Sequence, residues 1–76
     1  METAVSDGRV AARALINLNP TDTLAIQTAL IDARSRQSEY VTSGKKDAAE
    51  AFDTAFIHTL RAVRPEVAAA VEKIAK

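Results

Sequence analysis

The chain has 76 residues, ten basic and ten acidic side chains that cancel, one histidine and no cysteine. Its length is that of one domain, 1–76, near the lower size at which a single core holds without staples. The absence of cysteine excludes disulfides and thiolate metal sites and is compatible with a reducing compartment, and the zero net charge leaves no electrostatic footprint for nucleic acid or an anionic membrane.

The opening METAVSDGRV places acids on both sides of a short apolar pair and contains no h-region. No apolar run approaches the roughly 18 residues of a membrane span. A cytoplasmic protein without a membrane partner is expected. The 47% hydrophobic content overstates the core, because alanine fills sixteen positions and only eighteen are Leu, Ile, Val or Phe. Burial at roughly 25 cal/mol per Å² set against an ordering cost of roughly 1.5 kcal/mol per residue leaves such scaffolds near balance, so a partner surface would add stability.

With two glycines, two prolines, abundant alanine and no period-2 runs of β-branched residues, the expected class is all-α. The first helix is expected over about 5–18, with Val10, Ala11, Ala14, Leu15 and Leu18 as its apolar positions and Gly8 weakening its first turn. Asn19-Pro20-Thr21-Asp22 reads as the start of a second helix over 20–42, with Asn19 as cap, Pro20 at the first helical position and Asp22 beside the positive end of the dipole. Stepping about 100° per residue gathers Ile26, Ala29, Leu30, Ala33, Tyr40 and Val41 on its main apolar face, with Gln37 among them. Leu24 and Ile31 project from the opposite side, flanked by Thr28, Ser35 and Ser38.

Gly44 can take the left-handed conformation that ends a helix. A third helix is expected over 46–63, its arc formed by Ala49, Phe52, Phe56, Leu60 and Val63. Ala48, Ala55 and Ala62 extend one edge of that arc, where another helix could approach closely. Arg64-Pro65 either kinks this helix or separates it from a fourth over 66–75, with Val67, Ala70, Val71 and Ile74 apolar.

The short 43–45 connection predicts an antiparallel hairpin of the second and third helices, with Phe52 and Phe56 facing the stripe from Ile26 to Val41. Leu24 and Ile31 then need cover from the first helix, from the fourth, or from another chain. In one arrangement the four helices form a monomeric bundle. In the other, two hairpins pair about a two-fold axis and bury Leu24, Ile31, Ser35 and Ser38 as a homodimer interface, the arrangement preferred here because closed two-fold pairs are the commonest oligomers.

Chemistry-bearing patterns are few. Asp47, Glu50 and Asp53 lack a calcium-loop spacing and read as a solvated acidic face near a helix start, and a lone histidine without cysteine makes no transition-metal site. Gly8 and Gly44 are isolated, so there is no phosphate-cradling loop, and no strand-turn-helix elbow presents a serine. No metal, cofactor or enzyme activity is expected. Arg34, Arg36, Lys45 and Lys46 gather around the hairpin turn, but no aromatic residue interleaves them except Tyr40. The long helices flanking that turn do not form a helix-turn-helix, so nucleic acid is not an expected partner and a DNA-binding regulator ranks third.

His58-Thr59-Leu60-Arg61, followed by Ala62, resembles over five residues the H-x-L-K-G stretch of histidine phosphotransfer domains and the H-E-L-R box of histidine-kinase dimerisation domains. The resemblance implies His58 as phosphoacceptor with Arg61 one turn later as its electrostatic partner. Ala62 stands where the phosphotransfer stretch has glycine, and Pro65 comes later than the kinase box would place its proline. The plainer reading is an exposed histidine on a mixed helical face. Ile57 is the other outlier on that face, ringed by Glu50, Asp53, Arg61 and Arg64, the layout of a small protein contact with a polar rim. The expected function is a small helical regulator, with the look of bacterial or phage-like ones, that binds and modulates another protein as a homodimer. Phosphotransfer through His58 is the alternative.

Overall fold

The computed structural model describes residues 2–75, which form four α-helices in chain order: α1 (Glu2–Ile16), α2 (Thr23–Thr42), α3 (Lys46–Val63) and α4 (Pro65–Ala75). There is no strand among the described residues. The Cα radius of gyration is 11.7 Å, close to the value of about 11 Å for a fully compact chain of this length.

Competing local hydrogen bonds set the helix ends. The Asn19 side-chain oxygen accepts from the Thr21 amide at 2.9 Å and the Thr21 hydroxyl at 2.8 Å, closing a turn rather than capping a helix. The cap is Asp22, whose carboxylate accepts from the Ala25 amide at 3.2 Å. So α2 begins at Thr23 instead of at 20, and Pro20 belongs to the turn before it. The first helix is displaced the other way: it starts at Glu2, continues through Gly8 and stops at Ile16.

The end of α2 follows the expected glycine signal. Gly44 has φ 75°, its amide donates to the Val41 carbonyl at 3.0 Å, and the Lys45 amide donates to the Tyr40 carbonyl at 2.8 Å. These two bonds are the Schellman pattern that satisfies the last carbonyls of a helix. At the other break Arg64 leaves the helical region with φ −138° and ψ 77°, since the ring of a following proline crowds the α conformation. Pro65 then opens α4, at the position where a missing N–H costs nothing. The two-helix alternative is therefore the one adopted at this junction.

Burial follows the apolar stripes. Leu15, Ile26, Phe52, Leu60 and Val67 are the largest fully buried side chains, with Leu30, Phe56 and Val71 around them. The Phe52 and Phe56 rings are stacked with centroids 6.5 Å apart, and Tyr40 tilts onto Phe52 at 6.1 Å. The most extensive helix contact is between α1 and α3. It is made by small residues: Ala4, Gly8 and Ala12 are buried at four-residue steps along α1. A Cβ at Gly8 would lie 2.4 Å from the Phe52 carbonyl oxygen and 3.0 Å from the Ala55 Cβ, so the two backbones are as close as they are because position 8 has no side chain.

Two valines assigned to apolar stripes lie on the surface, Val41 at 55% and Val63 at 51% exposure. Each stands within the last two residues of its helix. Val10 and Ala14 of α1 are likewise exposed. Leu24 and Ile31 are 74% and 69% exposed, so neither α1 nor α4 covers that side of α2.

Candidate functional site

A hollow of about 660 Å³ runs between α2, α3 and α4. Its floor is apolar, from Leu30 and Ala33 of α2, Phe52, Phe56 and Ile57 of α3, and Val71 of α4. The periodicity of α2 explains its wall: Arg34, Ser38 and Val41 sit beside the buried stripe, three and four residues apart, and turn toward solvent where the stripe turns inward. Asp53 and Glu72 supply the opposite rim. Gln37 reaches across from α2 and donates to the Ala49 carbonyl at 3.4 Å, tying down one end.

Ile57 and Asp53 share this groove, but Ile57 is half-buried and packs against the core rather than standing out from a charged face. Arg61 is held through two of its nitrogens by Glu72 of α4. Arg64 is committed elsewhere: its guanidinium donates to the Ile16 carbonyl at 2.6 Å and to Glu66 at 2.7 Å. That bond satisfies a carbonyl at the C-terminal end of α1, where a cation also opposes the negative dipole end. The guanidinium in turn holds the Glu66 carboxyl below its ordinary range.

Glu50 lines a second hollow, of about 470 Å³, between α1 and α3, together with His58, Arg9 and Asp47. His58 is exposed there, and the basic residue sharing its hollow is Arg9 of α1, while Arg61 is occupied by Glu72. A third contact links α1 to α2: the Tyr40 hydroxyl donates to the Asp7 carboxylate, which raises the Tyr40 pKa. Among the described residues no three His, Asp or Glu side chains gather closely enough to hold a metal ion. No helix of the described residues is long and apolar enough to cross a membrane.

Ser35 and Ser38 are exposed along with Leu24 and Ile31 on the outer side of α2, and Ser38 also borders the groove. Sequence reasoning overlooked Arg34, Val41 and Glu72 as groove residues. Arg34, Ser38 and Val41 could have been found by following the edge of the α2 stripe, but Glu72 reaches the groove only because α4 folds back onto α2 and α3. Comparison with protein-family models, with curated proteins and with solved structures returns no match.

Proposed function

We propose that this chain is a small helical interaction module, built on an α2–α3 hairpin and paired as a homodimer, that binds another protein and modulates it. The observation that supports the reading is the groove between α2, α3 and α4, with an apolar floor and charges of both signs on its rim. A groove of this kind suits an amphipathic helix, whose apolar side chains would meet the half-buried Ile57 and the exposed Val41. Asp53 and Glu72 on the rim would then favour a helix with basic flanks. Nothing in such a contact requires catalysis, a metal or a cofactor.

The groove can be tested at Val41, which is exposed at its edge and makes little contribution to the core. Val41→Lys is expected to leave the thermal midpoint within a few degrees of wild type, because the side chain is exposed, the backbone carbonyl that accepts from Gly44 is kept, and a cation in the last turn suits the helix dipole. The same variant is expected to lose proteins captured by the tagged wild-type chain from extracts of its source cell, identified by mass. Equal capture by both chains, with equal melting, removes the groove from the reading.

A further inference from the structure

The outer side of α2 carries an uncharged line along the whole helix: Leu24, Thr28, Ile31, Ser35, Ser38 and Thr42, all exposed. These positions advance by alternating steps of four and three residues. That average of 3.5 keeps a seam facing a second helix as the two wind around each other. Leu24 and Ile31 are the apolar knobs. The Thr28 hydroxyl already donates to the Leu24 carbonyl at 2.9 Å, so covering it strands no donor. Ser35 and Ser38 are small enough for a second backbone to come close.

The borders of the line differ in charge. On one side lie Gln27, Arg34 and Val41, on the other Ala25, Asp32 and Glu39. Asp32 is engaged by Arg36 of the same helix at 3.5 Å, whereas among the described residues neither Arg34 nor Glu39 is in an ion pair.

We infer that this seam is covered by α2 of a second copy, parallel and in register, with Arg34 of each chain paired to Glu39 of the other. The inference rests on the homodimer reading and deepens it by assigning the contact and its direction. In a parallel pair, each residue on the basic border faces the residue five positions later on the acidic border of its mate, which joins Arg34 to Glu39 twice and Gln27 to Asp32 twice. An antiparallel pair turned about Ile31 would instead bring the two copies of Asp32 together and leave Arg34 beside Gln27. Like charges meeting at a contact select against that arrangement. One helix seam buries less than the roughly 800 Å² per partner of a standard interface, so the pair belongs among weak, reversible dimers.

The chain has no cysteine of its own, so single introduced cysteines report direction directly. Sedimentation equilibrium of the whole wild-type chain from about 10 µM to about 1 mM is expected to show a monomer–dimer equilibrium. Under mild oxidation Leu24→Cys and Ser38→Cys are each expected to cross-link to themselves. Arg34→Glu is expected to weaken self-association about three- to tenfold, and Arg34→Glu with Glu39→Arg to regain it. A chain that stays monomeric throughout overturns both the pairing and its register. Dimers that cross-link only when Leu24→Cys and Ser38→Cys are mixed overturn the parallel register and leave the homodimer reading in place. Dimers with neither cross-link, or a double variant as weak as the single one, overturn the seam.

Discussion

Gly8 shows how much one missing side chain can organise. In an isolated helix alanine is better than glycine by about 1 kcal/mol, so propensity alone favours Gly8→Ala. In the folded chain the added carbon would sit 2.4 Å from a backbone carbonyl oxygen, which unlike the far end of a side chain cannot swing away. α1 would have to move off α3, opening the contact that Ala4 and Ala12 continue. Overpacking of this kind costs about 1–3 kcal/mol or more, and we expect Gly8→Ala to lower the thermal midpoint by roughly 10 °C. Differential scanning calorimetry checks it, and a midpoint at or above wild type would mean that the helices are not this close. Gly44→Ala is a useful contrast, since nothing lies within 4 Å of its missing Cβ and only its φ of 75° opposes the change.

Helix ends also tie the elements together here. Arg64 sits in the break between α3 and α4, yet its guanidinium reaches the last carbonyl of α1 and is steadied by Glu66 from the first turn of α4. The Glu66 carboxyl is held below its ordinary value by that arginine first, and by its own backbone amide second. A carboxyl with a lowered folded pKa favours folding above its unfolded value and loses that contribution as pH falls through the folded one. Thermal melts between pH 7 and pH 3 are therefore expected to fall more steeply for wild type than for Glu66→Gln, which carries no titrating group there. Parallel curves for the two would show that the Arg64 junction is not held by this charge.

At the scale of the whole molecule the core is small and shared by all four helices, which makes its largest residue decisive. Phe52 touches the Tyr40 ring of α2 and the Phe56 ring of α3, and its carbonyl meets α1 at Gly8. Removing such a ring costs about 3–5 kcal/mol, against a total of about 4–11 kcal/mol at 0.05–0.15 kcal/mol per residue for a chain of this length. Phe52→Ala is expected to lose helical circular dichroism in a single transition at a much lower temperature, all helices together. A two-step melt would mean that α4 or α1 is held independently of this core.

Helix existence and the inward stripes of α3 and α4 could be read from residue order, because propensity and a 3.6-residue period are local properties; 46–63 was legible down to its ends, and Phe52, Phe56 and Leu60 are buried as their spacing implied. That Leu24 and Ile31 project away from the main stripe of α2 was legible for the same reason, but not that α1 and α4 both leave them uncovered. The start of α2 was not, since Asn19 and Asp22 are both good caps and only the turn that Asn19 makes with Thr21 decides between them. The close α1–α3 contact left a trace in the four-residue spacing of Ala4, Gly8 and Ala12, but spacing of small residues does not say which helix they admit. The groove was the least legible feature. Ile57, Arg34 and Glu72 come from three helices, and charges that lie beside Ile57 along α3 are drawn off by partners from elsewhere: Arg61 by Glu72, Arg64 by Ile16 and Glu66. Hydrogen bonding between residues distant in sequence is a property of the packed chain, so only the tertiary structure decided which charges beside Ile57 are already paired.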